Sequence, residues 1–148
     1  GIDRLDVNCL KACYWPEATV DYGAFKGPAH QFAEIVMGAL DGQYELTQHA
    51  VSNMLVQVDG DKAVAESYCN ANHLLQGGAE ELSYRGRYLD RFERRDSRWK
   101  LSHRQVVMDW SWRHPVVDER QTESFVDLTK GSHADDPVYV LLSEMGDS

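Results

Sequence analysis

Two histidines and one arginine stand out, because each lies in a strand-like stretch where few polar residues share its face. Imidazole exchanges protons near neutral pH, so His49 and His73 are candidate acid–base groups. His49 alternates with Val51, Asn53 and Leu55; His73 alternates with Ala63, Ala65, Ser67, Cys69 and Ala71. Small side chains around His73 leave room for a ligand, or equally let a helix pack closely. His49 reads as a base or as a satisfied structural histidine. Arg104 shares a face with Val106, Met108, Trp110 and Trp112. A guanidinium there needs a partner, since an unpaired buried charge costs several kcal/mol. That partner is either a carboxylate or an anionic transition state. Asp90 is a candidate, the one acid on a face with Leu82, Tyr84, Tyr88 and Phe92.

Other chemistries fit poorly. The six histidines never fall at a short metal-ligand spacing, so no metal site is expected. Cys9, Cys13 and Cys69 match no zinc pattern either, and Cys9 and Cys13, four apart in a helical stretch, are expected to pack against apolar neighbours. Three unpaired cysteines suit a reducing compartment, which sets the expectation of a cytoplasmic protein. The balance of 15 Lys+Arg against 24 Asp+Glu gives a net charge of −9, a field that repels phosphate backbones, so nucleic acid is not an expected partner. With 43% hydrophobic and 26% charged residues, the 148-residue chain reads as one globular domain, and it has no apolar run long enough for a membrane span.

The elements that must position these side chains follow from periodicity. Asp6 is a plausible N-cap for a helix through Val7, Leu10, Cys13 and Tyr14, stopped by Pro16. Ala18 to Tyr22 reads as a short strand. Gly27-Pro28 opens a second helix, with Phe32, Ile35, Val36 and Leu40 on one side and Asp41-Gly42 at its end. From Tyr44 the period is two: strands over 45–58 and 62–75 join at Asp59-Gly60-Asp61, and strands over 81–94 and 98–112 join at Arg95-Asp96-Ser97. Beyond Pro115 a polar tail is expected, with a short helical piece near Phe125 and a last apolar cluster from Val138 to Leu142. Helices and strands segregated in this order predict an α+β fold, a curved sheet with helices on its concave side. Such a cup suits a small molecule.

This order of elements resembles the cone-shaped fold of the nuclear transport factor 2-like superfamily. Within it, the sequence is most similar to the SnoaL-like branch that includes scytalone dehydratase, gamma-hexachlorocyclohexane dehydrochlorinase and the bile acid 7α-dehydratases. Gly1-Ile2-Asp3-Arg4-Leu5-Asp6 resembles the end of that branch's first helix, Val20-Asp21-Tyr22 its first-strand segment, and Thr47-Gln48-His49 its catalytic-histidine segment. Residues 95–100 with Ser102-His103-Arg104 resemble the dehydrochlorinase's last hairpin. The likeness covers residues 1 to about 112; the rest, 113–148, lies in the tail of one domain. It implies Asp3, His49 and Arg104 as catalytic residues, with Asp3 orienting His49. It implies Tyr22 and His73 in the pocket, and Tyr88, Met108 and Trp110 suit its lining.

The implied chemistry is a cofactor-independent elimination from a small hydrophobic cyclic substrate, by a dehydratase-like or dehydrohalogenase-like lyase working as a homodimer or homotrimer. The fold also serves isomerases and polyketide cyclases, non-catalytic dioxygenase small subunits and plain ligand-binding proteins. Two departures accompany the likeness. The tyrosine or lysine that those enzymes carry just upstream of the aspartate has no counterpart, so the first helix is expected as its last turn alone. Gly86 and Tyr88 stand near the positions of a polar pair that scytalone dehydratase uses, which makes scytalone itself a poor substrate.

Overall fold

A computed structural model describes residues 1–131 and 133–144. A 3-10 turn, Ile2–Arg4, precedes α1 (Val7–Ala12), β1 (Tyr14–Asp21), β2 (Lys26–Pro28) and α2 (Ala29–Gln43). Four long strands follow: β3 (Tyr44–Asp59), β4 (Lys62–Leu75), β5 (Glu80–Arg95) and β6 (Arg98–Pro115). The tail ends in α3 (Val138–Ser143). The sheet runs β2-β1-β6-β5-β4-β3, antiparallel except where β1 lies parallel to β6. This is the expected α+β architecture, a curved open sheet whose concave face carries the helices.

Local chemistry explains the boundaries. The Asp6 side chain accepts the Cys9 amide (2.8 Å) and starts α1. The hairpin between β5 and β6 turns on Asp96 and Ser97, both at positive φ (48° and 64°), the geometry of a type I′ turn. Tyr14 opens β1 instead of closing the helix, and Pro16 lies within that strand. It is tolerated because the pairing of β1 with β6 is interrupted between Tyr14 and Thr19, so no ladder amide is needed there. Near Phe125 the chain makes turns, and the tail's helix is α3. Cys9 and Cys13 are exposed; Cys69 is buried.

The core lies between α2 and the concave face. Ala29 and Phe32 of α2 pack on Tyr14, Ala18 and Val20 of β1 and Leu101 of β6. Burying Phe32 alone is worth about 1.5–3 kcal/mol. Leu101 belongs to this face because of a bulge: Phe92 pairs with Leu101 while Arg91 pairs with His103, leaving Ser102 extra. A second bulge sits at Asp109, since Gly86 pairs with Met108 but Arg85 with Trp110. Each bulge shifts side chains to the opposite face of β6. Strict alternation, which put Trp110 and Trp112 beside Arg104 and Met108, therefore fails at both ends of the strand. Trp110 pairs with Arg85 and is well exposed, and the Arg85 guanidinium lies 4.8 Å from the Trp112 ring centroid on that convex side.

Candidate active site

The 3-10 turn at the start of the chain delivers Asp3 to the inner face of edge strand β3. One carboxylate oxygen of Asp3 accepts the Thr47 hydroxyl (2.9 Å) and His49 Nδ1 (2.5 Å); the other accepts the His49 backbone amide (2.9 Å). Burial would raise the Asp3 pKa. The hydrogen bonds from the His49 side chain and backbone, its charge and the Thr47 hydroxyl outweigh burial and hold it below the ordinary 3.8. Asp3 is thus a carboxylate near neutral pH and can only accept. Its contact therefore puts the His49 proton on Nδ1, leaving Nε2 as the basic nitrogen.

A depressed carboxylate pKa stabilises the fold fully above its unfolded value and ceases to do so as pH falls through the native one. Wild type should accordingly lose melting temperature more steeply than Asp3→Asn from roughly pH 4 downward, as scanning calorimetry across acid pH would record.

His49 borders an apolar cavity of about 520 Å³ between α2 and the sheet. Phe32, Val36 and Leu40 close one side; Tyr22, His73, Tyr84, Tyr88, Val106 and Met108 form much of the rest. Tyr22 stacks on Phe32 (centroids 4.0 Å, planes 22° apart). Burial raises the Tyr22 pKa, so its hydroxyl stays a proton donor. The His73 ring meets that of His49 edge-on at 5.4 Å. Burial, and secondarily the charge of His49, lower the His73 pKa, which keeps it neutral. Its Nδ1 faces the Leu82 carbonyl at 3.3 Å, and a carbonyl can only accept. The remaining nitrogen, Nε2, is then an acceptor, suited to a substrate hydroxyl and not to polarising a carbonyl.

Tyr84 is held by its hydroxyl, which donates to the Val107 carbonyl (2.7 Å) beside the Asp109 bulge. Burial pushes its pKa up to about 12. Gly86 makes this possible, because a Cβ there would stand 2.2 Å from both the Tyr84 hydroxyl and the Val107 oxygen. The carbonyl cannot move without the strand. Gly86→Ala should therefore cost about 1–3 kcal/mol, read as a lower melting temperature in thermal denaturation.

Arg104 meets a carboxylate. Its guanidinium is bonded twice to Asp90, Nε to Oδ1 at 2.8 Å and Nη2 to Oδ2 at 2.7 Å, and Asp90 is 5% exposed. Of the alternatives open for Arg104, the carboxylate partner is the one present. Arg104 also lies 3.9 Å from the Tyr88 ring centroid. It borders a neighbouring groove with Asp90, Phe92 and Trp99, not the cavity that His49 borders. It meets two residues that do line that cavity, Tyr88 and Tyr22, and the Tyr88 hydroxyl accepts the Cys69 thiol (3.1 Å).

His49, Tyr22, His73, Tyr88 and Met108 thus line one cavity. Asp3 reaches it only through its bond to His49, and Arg104 and Trp110 are not among its lining residues. Thr47 was unassigned by sequence. Its position two residues before His49, on the same face of a strand, was the available signal. Asp3, Thr47 and His49 also border a polar cavity of about 620 Å³ across the β3 edge, together with Arg4, Asp118, Arg120 and Asp136. Among the described residues, no three His, Cys, Asp or Glu side chains gather as a metal site, and no helix is long and apolar enough to cross a membrane.

Comparisons with known proteins agree with this architecture. Residues 1–105 match the SnoaL-like domain family. The fold is similar to the hexachlorocyclohexane dehydrochlorinase LinA type 3 of Novosphingobium barchaimii, at TM-score 0.67 and 21% identity, covering 79% of this chain and 81% of that one. A provisionally assigned scytalone dehydratase from Novosphingobium aromaticivorans superposes at TM-score 0.69 with 19% identity, covering 78% and 79%. A nuclear transport factor 2-like protein from Salmonella enterica superposes at 0.65 with 17% identity, covering 72% and 80%. At these identities the structures establish the fold alone, and the family has non-catalytic members beside its enzymes. The chain belongs to the SnoaL-like domain family and has the nuclear transport factor 2-like fold.

Proposed function

We propose that this protein is a cofactor-independent lyase that eliminates water or halide from a small hydrophobic cyclic substrate. The observation that carries the reading is the 2.5 Å contact between Asp3 and His49 Nδ1 at the edge of an apolar cavity. In this reading His49 Nε2 removes a proton from carbon, and Asp3 stabilises the imidazolium that forms. Tyr22, a hydroxyl kept protonated by burial, donates to the substrate carbonyl or to the leaving group. His73 accepts a substrate hydroxyl and sets its orientation. Tyr88 and Met108 line the ring-binding space.

The test is a panel of alicyclic β-hydroxy ketones and halogenated cyclohexanes incubated with purified protein in EDTA, with product followed by mass spectrometry. Elimination by wild type, absent in His49→Ala, is the expected result. Activity that needs Asp3 but not His49 would favour an isomerase or cyclase, in which the carboxylate is itself the base. Failure to bind or convert any compound would favour a non-catalytic subunit or binding module.

The convex face, where Arg85 lies over Trp112 beside exposed Trp110, is the surface through which the chain would form a homodimer or homotrimer. Sedimentation equilibrium should give two or three times the 16.8 kDa chain mass. A monomer mass would contradict this assembly.

A further inference from the structure

The turn that presents Asp3 is poorly equipped to hold itself. It is three residues long, none is buried, and it ends at Leu5 in the left-handed region (φ 52°). Its last residue and the N-cap of α1 that follows are gripped by the C-terminal tail. Arg4 Nε lies 3.2 Å from Asp136 Oδ1, and the Tyr139 hydroxyl donates to Asp6 Oδ2 at 3.2 Å. Asp136 and Tyr139 form one unit, because Asp136 accepts the Val138 amide with its side chain (3.0 Å) and the Tyr139 amide with its carbonyl (3.0 Å) at the start of α3. The tail is fastened at its other end too. Val116 donates to the Ala79 carbonyl (3.0 Å), and Arg120 bridges Asp118 and Glu45, each at 2.6 Å. Between those ends it walls the polar cavity that Asp3, Thr47 and His49 border. The tail's own residues in these contacts lie beyond residue 105, where the family match stops.

We propose that the C-terminal tail is a positioning device for the Asp3–His49 pair, with Asp136 and Tyr139 as positioning residues that act through Arg4 and Asp6. This inference rests on the reading of Asp3–His49 as the working base. Such a base tolerates little drift: a misplacement of about 1 Å costs on the order of 10²-fold in rate. Without the tail, a turn with no buried residue would depend on the bonds of Asp3 itself to β3.

The experiment is NMR of the full chain labelled with ¹⁵N-histidine, following the Nδ1 proton of His49. Wild type should show a downfield, slowly exchanging signal that Asp3→Asn abolishes. If those two spectra agree, the dyad itself is absent and the base reading falls with it. With the dyad present, Asp136→Asn combined with Tyr139→Phe should broaden or abolish the signal. Ser143→Ala, on the same helix but bonded to the Val140 carbonyl, should leave it intact. A double variant with a wild-type signal overturns the inference. Should the double variant fail to fold, Tyr139→Phe alone decides, since it removes one hydroxyl: faster exchange of the His49 proton supports the tail's role, and unchanged exchange refutes it. A merely structural contact would lower melting temperature without touching this proton.

Discussion

Asp90→Ala is expected to lower unfolding free energy by about 3–5 kcal/mol, among the largest losses available to a single substitution here. The reason is asymmetric. Asp90 and Arg104 are both taken out of water, and two hydrogen bonds of 2.7–2.8 Å satisfy them mutually. Removing the carboxylate leaves a guanidinium among Tyr14, Tyr22 and Tyr88 with nothing to offset its desolvation. Against a typical total of 5–15 kcal/mol, such a loss would bring the protein near its unfolding threshold. Urea denaturation would measure it. Replacing both partners, as Asp90→Leu with Arg104→Met, should restore most of the stability, since exchanging a whole buried pair for apolar residues is often neutral. The same double variant separates two views of Arg104. If the arginine is structural, the repacked protein keeps its activity. If it stabilises a transition state, the protein folds and is inactive.

The second large effect concerns turnover. His49→Ala should reduce it on the order of 10²–10⁴-fold, the contribution typical of a positioned acid–base group. Asp3→Asn should cost a similar factor by a different route. The carboxamide can offer a donor to Nδ1, so the imidazole no longer keeps its proton there and Nε2 ceases to be the free base. Asp3→Asn also weakens the tie between the 3-10 turn and β3. A loss of about 0.5–1.5 kcal/mol for each hydrogen bond weakened is the expected scale. Circular dichroism of both variants would show that the fold survives while turnover does not.

Much of this was legible in the sequence because side-chain alternation is a local property. Asp90 stood out as a candidate partner for Arg104 because two strands each placed one charge on an apolar face, and the cross-strand register decided between that pairing and an unpaired guanidinium. The long strands were readable through their period and through turns such as Asp59-Gly60-Asp61. What strand alternation missed was set by bulges. Ser102 and Asp109 are ordinary polar residues in β6, and nothing in their neighbours marks them as extra. From Val106 to Trp112 the even positions are all apolar while Asp109 and Ser111 stand opposite, so the hydrophobic pattern carried a single register straight through the bulge. The meeting of Asp3 with His49, across 46 residues of sequence, was likewise beyond any periodicity. It was reached through resemblance of the motifs. The tail's grip on Arg4 and Asp6 had no such guide, because it joins half-buried polar residues at opposite ends of the chain.

The central claim is that Asp3 and His49 act as one base. A double-mutant cycle on turnover, with the best substrate from the panel, tests it most directly. Groups that work as a unit are strongly non-additive. The account predicts that Asp3→Asn with His49→Ala is no slower than His49→Ala alone. Losses that multiply, or full turnover in either single variant, would contradict it.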